Sequence, residues 1–157
     1  MNATLPLFPL PPVADGKVVY LQLKPAKGVV QPTHALTAVG GKGFVGDYSF
    51  GKRRRQASFC AIQDLDEFGY APGLLRENAS LDLPGLQDLP NGTRLLVGEV
   101  EFEIESDCAP CGGMARRLGE PVGDFVRKTS RRRGMLLKVV SSGTIRLNDP
   151  VYILRGE

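Results

Sequence analysis

The chain has 157 residues, 42% hydrophobic and 24% charged, which are ordinary values for one globular domain with a real core. A net charge of +3 and 7% aromatic residues fall short of the basic excess and stacking platforms of a nucleic-acid binder. No apolar run approaches the roughly 20 residues of a membrane-spanning helix, and three cysteines, an odd count, make no disulfide framework.

These limits predict a cytoplasmic protein that binds neither nucleic acid nor membrane. Nineteen glycines and twelve prolines favour short strands joined by turns over long helices. The opening M-N-A-T-L-P-L-F-P-L-P-P has no basic start, and its prolines break any apolar helix. It reads as a proline-rich arm over residues 1–16, ahead of a single domain over 17–157, and not as a signal peptide.

Residues 17–24 (K-V-V-Y-L-Q-L-K) predict the first strand, ended by Pro25 and Gly28. Residues 29–43, rich in Gly and Thr, hold the only histidine, His34, which reads more readily as a surface residue than as a ligand. Residues 43–51 are turn-forming. Residues 56–62 predict a buried strand in which Cys60 behaves as a small hydrophobe. A short helix is expected over residues 64–68, capped by Asp64 and stopped by Gly69. Residues 72–78 read as a turn that places Arg76, Glu77 and Asn78 in a row. Asn91-Gly92 is a strong turn signal ahead of the central strand.

That central stretch, residues 97–114, reads V-G-E-V-E-F-E-I-E-S-D-C-A-P-C-G-G-M. Val100, Phe102 and Ile104 fall on one side, and Glu99, Glu101, Glu103 and Glu105 on the other. A period of two marks a strand with one buried face and one in water. It runs straight into Cys108-Ala109-Pro110-Cys111, followed by Gly112 and Gly113. A rigid strand delivering two thiols to a glycine-lined loop suits a nucleophile or a soft-metal ligand. Beyond it, residues 114–118 and 122–128 predict short helices parted by Gly119 and Pro121. Residues 135–140, 144–147 and 151–154 predict closing strands. The whole suits a mainly β domain, a partly closed barrel with a few short helices.

Several chemistries fit the two cysteines. A structural zinc site needs four ligands, and only Cys60 and His34 could complete one. A Cys-x-Pro-Cys dithiol belongs in a βαβ context that this chain does not show. A single soft thiolate could hold a metal or carry sulfur, with Gly112 and Gly113 letting a cofactor approach the backbone. Two buried thiols in a turn are the plainest reading. Cys111, followed by two glycine N–H groups, is the expected reactive thiol, and Cys108 lies beside Asp107 at the end of the acidic strand. The basic residues gather in two knots, Lys52 to Arg55 and Arg131 to Arg133. Solvated loops are the simpler account of each, but two knots flanking one site would suit phosphate.

The run from Gly73 to Met114 resembles the core of the MOSC domain, found at the C-terminus of molybdenum-cofactor sulfurases and in small stand-alone bacterial proteins. G-F-V-G-D-Y-S-F-G-K-R-R-R-Q-A-S-F resembles the family's Gly-x-x-Gly-Asp turn and the Arg-Gln strand after it. R-G-M-L-L-K-V-V-S-S-G-T-I-R-L-N-D-P-V resembles its C-terminal signature, so the likeness covers about residues 17–155. The resemblance implies a strand-rich barrel with a pocket cysteine that carries sulfur or meets the molybdenum of a pterin cofactor (molybdopterin). Cys111 matches that cysteine, as catalytic residue and metal ligand, and Cys108 matches a second one seen in one branch. It also implies reduction of N-hydroxylated compounds, or a non-catalytic persulfide carrier, with a sulfur donor or acceptor protein or an electron donor as partner. Arg54, Arg76, Asn78 and Arg133 are the candidates for the pterin phosphate. Tyr48-Ser49 stands where many relatives have a histidine. The pyridoxal-phosphate domain of the full sulfurases is absent, so that cofactor is not expected.

Overall fold

The computed structural model describes residues 13–155, so most of the expected N-terminal arm lies outside the described residues, as do 156 and 157. In chain order the strands are β1 Gly16–Ala26, β2 Val29–Thr33, β3 Ala35–Val39, β4 Gly43–Phe44, β5 Ala57–Ala61 and β6 Ala79–Asp82. They continue with β7 Arg94–Val97, β8 Val100–Asp107, β9 Met135–Val139, β10 Gly143–Arg146 and β11 Pro150–Leu154. The helices are α1 Ile62–Phe68, α2 Gly112–Leu118 and α3 Val122–Thr129. Among the described residues, no helix is long and apolar enough to cross a membrane.

Seven strands form a ring in the order β1-β6-β5-β9-β8-β7-β11, and β11 returns to β1 through Gly16–Val151 and Lys17–Pro150. The barrel is therefore closed, where the sequence suggested partial closure. The short seam between the first and last strands is not something local pattern can reveal. Among the described residues only β5 and β6 pair in parallel, with α1 in the connection that parallel strands require. β2 extends the sheet beyond β1, and β10, β3 and β4 form a small second sheet.

The alternation in β8 does what its pattern predicts. Val100, Phe102 and Ile104 are buried, and the Phe102 ring meets Phe59 at 4.9 Å and Phe44 at 5.8 Å in the barrel core. On the outer face Arg94 pairs with Glu101 at 2.7 Å and Glu103 at 3.2 Å. A register shift between Ile104 and Ser106 then breaks the alternation, and such a bulge bends the strand end that leads to Cys108. A second apolar cluster packs outside the barrel: Cys60, Leu65, Phe68, Tyr70, Leu75, Met114, Ala115 and Phe125.

Some expectations need correction. Residues 29–43, a Gly- and Thr-rich segment in which the sequence marks no strand, contain β2 and β3. β2 is exposed along nearly its whole length and contains Pro32, so it shows no alternation to read. The central strand starts at Val100, because Val97 ends β7 and Gly98-Glu99 forms the hairpin turn. Helix α1 begins at Ile62, and its N-cap is Ala61, with no side-chain capping bond. Asp64 instead accepts from Arg132 at 2.8 Å, while Gly69 ends the helix in the left-handed region as expected.

The Gly-x-x-Gly-Asp turn is held by its aspartate. Asp47, 5% exposed, accepts from the backbone N–H of Lys24 at 2.8 Å, from that of Ser49 at 3.2 Å and from Asn78 Nδ2 at 3.1 Å. Asp47→Ala strands these donors and should destabilise the fold by about 1–3 kcal/mol, read from the urea midpoint.

Candidate functional site

The C-terminal ends of β1 and β8 and the starts of β9 and β5 meet at one end of the barrel. There they open a cavity of about 340 Å³ together with the loop before β6 and the first turns of α2. Its floor is apolar: Leu75 and Met114 come from the outer cluster, and Leu136 from β9. Its polar wall contains Lys24, Lys27, Arg76, Arg117 and Arg133, with Cys108 and Cys111 among them. Among the described residues no Asp or Glu lines it.

The two thiols are held differently. Cys108 is partly buried, and its backbone N–H donates to the Gly134 carbonyl at 2.8 Å. Cys111 is exposed at the N-cap of α2, in extended backbone, and makes no capping bond with its side chain. Its sulfur is free for chemistry. Cys60 is different again: it is buried in the outer cluster and donates its S–H to the Arg133 carbonyl at 3.3 Å. Burial pushes the Cys60 thiol well above its ordinary value of 9.0. Its contribution to stability is therefore whole below that pH and is lost as pH rises towards the folded value. A thiol reagent should label two cysteines in the folded protein and all three after unfolding; counting labels by mass spectrometry checks this.

Among the described residues no three His, Cys, Asp or Glu side chains gather into a metal cluster. His34 is exposed between β2 and β3, where only its carbonyl is used, accepting from Leu147 N at 3.1 Å. The ligands needed to complete a zinc tetrad with Cys108 and Cys111 do not come together.

The basic wall is concentrated, and the carboxylates that act on its Lys24, Asp47 and Glu77, are buried. Lys24 donates from Nζ to Ser58 Oγ at 3.4 Å. Burial lowers its ammonium from the ordinary lysine value, outweighing the opposite pull of Asp47, and Arg133 pushes it the same way. The Arg131–Arg133 knot divides. Arg132 turns to the carboxylates of Asp64 and Glu67 on α1, Arg131 is exposed, and only Arg133 enters the pocket.

Of the residues singled out from sequence, Cys108, Cys111, Arg76 and Arg133 share this cavity, and Arg54 and Asn78 do not line it. Arg54 lies exposed in the loop before β5. Asn78 is buried behind the wall, where Oδ1 accepts from Ser58 N at 3.1 Å and Nδ2 donates to Gln22 O at 3.3 Å. Lys24, Lys27 and Arg117 escaped sequence reasoning. Arg117 left a trace, since it stands four residues after Gly113 on α2 and both line the cavity. A larger depression of about 680 Å³ borders residues 89–94 and 153–155, but it has no thiol. Its arginines are already paired, Arg94 with Glu101 and Glu103, and Arg155 with Asp15 at 3.8 Å.

In comparison with known proteins, the family described as MOSC domain matches residues 55–152. No curated protein matches the sequence. Among solved structures, the YuaD protein from Bacillus subtilis is similar with a TM-score of 0.76 at 23% identity, over 87% of this chain and 93% of that one. YiiM from Geobacillus stearothermophilus has a TM-score of 0.67 at 16% identity, over 89% of this chain and 75% of that one. YiiM from Escherichia coli has a TM-score of 0.65 at 17% identity, over 90% and 71%. At these identities the likeness is one of fold.

Proposed function

Because the chain belongs to the MOSC domain family, we propose that the thiol pocket binds a molybdenum pterin cofactor, with the Cys111 sulfur as the metal's protein ligand. The observation that carries this reading is Arg133. The residue is 9% exposed, it lines the pocket, and its Nε has no hydrogen-bond partner among the described residues. A buried donor left unpaired costs about 1–3 kcal/mol, which an acceptor arriving with a ligand relieves. The pterin phosphate is such an acceptor, and Lys24 supplies a second cation to it. A soft, exposed thiol suits molybdenum, and a carboxylate-free wall suits the cofactor's negative charge. When bound, the group supplies a redox-active metal suited to reducing an N–O bond. The protein's own part is to hold that group, to keep acidic side chains away from it and to leave Cys111 open to solvent.

Protein made in a molybdate-supplied, pterin-competent host should carry molybdenum after mild purification, and metal analysis finding none would overturn the proposal. Arg133→Ala should weaken cofactor retention about ten-fold or more, since a charge-assisted hydrogen bond contributes roughly 1.5–3 kcal/mol. Arg54→Ala, on an exposed loop outside the cavity, should leave retention unchanged.

The exposure of Cys111 favours one further reading, a sulfur carrier. The thiolate would take a sulfane sulfur from a donor protein as a persulfide. An acceptor's nucleophile would then remove that sulfur, breaking the S–S bond and returning the Cys111 thiolate. Retained pterin marks the first reading; cyanide-releasable sulfur on protein free of pterin marks the second.

A further inference from the structure

A second cavity of about 230 Å³ adjoins the thiol pocket, and Arg76 and Arg117 line both, so they form the shared wall. The rest of its lining is apolar or backbone: Val30, Leu74 and Leu118, with Gly28 and Gly73. We propose that this side cavity is a recognition subsite for a small organic monoanion with an apolar body. The body rests on Val30, Leu74 and Leu118. The anionic head lies between Arg76 and Arg117, so it is the end of the molecule nearest the thiols.

The charge of the ligand follows from the wall. Neither arginine forms an ion pair among the described residues, although seven other basic side chains do. Among the described residues no Asp or Glu lines either cavity, so a cation finds no carboxylate partner on their walls. Two guanidinium groups facing one space are suited to a planar carboxylate-type head. The apolar body follows from the opposite side. Val30 and Leu74 are each 42% exposed, and they flank the cations on a loop and an edge strand that make no other use of them. The volume is below the roughly 300 Å³ at which drug-sized sites begin, which admits a ring or a short branched chain but not a nucleotide.

The backbone that carries Arg76 is also fixed in advance of binding. Arg76 is held at φ 66, in the left-handed region, and its N–H donates to the Gly73 carbonyl at 2.9 Å. Glu77, buried beneath it, accepts from Gly73 N at 3.0 Å and from Ser80 Oγ at 2.7 Å. Gln22 Nε2 donates to the carbonyls of Gly73 at 2.9 Å and Glu77 at 2.8 Å. Gly73, at φ 86, packs so closely on Tyr20 that a Cβ there would stand 2.4 Å from its ring. A loop tied this firmly leaves only the Arg76 side chain, not its backbone, to be ordered on binding. None of this depends on what Cys111 holds.

The test uses the full chain, 15N-labelled, with amide shifts followed during titration with sodium benzoate. Benzamide serves as the neutral shape-matched control, and inorganic phosphate as the anion without an apolar body. Benzoate should saturably shift the amides of Gly28, Gly73 and Leu118, with benzamide about ten-fold weaker or more. Phosphate should shift the Ser58 and Leu136 amides of the thiol pocket instead. Arg117→Gln, on the exposed face of α2, should weaken benzoate about ten-fold. Leu74→Glu, at an exposed position, should abolish its binding while the rest of the spectrum stays in place. The proposal is overturned if benzamide or phosphate matches benzoate at Gly28 and Gly73, or if benzoate shifts only thiol-pocket amides. No saturable shift, or undiminished binding in both variants, overturns it equally.

Discussion

Serine in place of Cys111 should abolish molybdenum or persulfide loading, while serine in place of Cys108 should reduce it only in part. A hydroxyl is a hard, weakly acidic group that neither ligates a soft metal as thiolate does nor forms a persulfide. Cys111 is exposed and commits its side chain to no capping bond, so the change removes chemistry without disturbing packing. Cys108 lies deeper, tethered through its backbone to Gly134, with its sulfur 4.0 Å from the Ala109 carbonyl. A limiting electrophile near neutral pH should accordingly alkylate Cys111 first. Metal and sulfur content per chain, alongside circular dichroism as a check on folding, reads the result. Equal loss from both variants would favour a dithiol mechanism, and preferential labelling of Cys108 would reverse the assignment.

Gly134→Ala should be severe for a single methyl group. Gly134 sits at φ 123, and an added Cβ would stand 2.8 Å from both the Phe59 carbonyl oxygen and Cys60 Sγ. The carbonyl belongs to a buried barrel strand and cannot swing aside. Backbone strain of about 1–3 kcal/mol adds to an overpacking penalty of similar size, so a loss of about 3 kcal/mol or more is expected. For a chain of this length that lowers the melting temperature by about 6–12 °C. The damage should reach the pocket as well. The Gly134 carbonyl accepts from Cys108 N at 2.8 Å and from Gln87 Nε2 at 3.1 Å, and its N–H donates to Gln87 Oε1 at 3.0 Å. Arg133 is the next residue. A melting curve together with cofactor retention would show both effects, and an unchanged midpoint would mean that β5 yields where its burial says it should not.

The elements legible in the sequence are those with one wet face and one dry face. β8 displays its period of two because glutamates face water opposite Val100, Phe102 and Ile104. β2 has both faces wet, and β6 is buried along nearly all of its length, so neither alternates, and both escaped notice. The thiols and Arg76 stood out because each lies in a compact signal: a Cys-x-x-Cys after a strand, or a polar row after a turn. Lys24, Lys27 and Arg117 are single cations in ordinary surroundings, and only the closure of the barrel places them together. Neighbours in sequence also misled. Arg132 and Arg133 are adjacent, yet one faces the carboxylates of α1 and the other the cavity. Asn78 follows Arg76 by two residues, yet it is spent on holding β5 and the Asp47 turn.

The seam of the barrel makes one strand serve two regimes of motion. β1 meets β11 through two residue pairs near its start, helped by single bonds from Asp15 N to Val151 O and from Val18 N to Asp149 O, each 2.9 Å. Lys24, near the far end of that strand, lines the thiol pocket. A ladder this short can unzip without global unfolding, and its amides should exchange with solvent well before those of Phe59 or Ile104. The pocket's own strands, β5, β8 and β9, are stitched to one another away from that opening. The seam should therefore open before the strands that carry the thiol pocket part from one another.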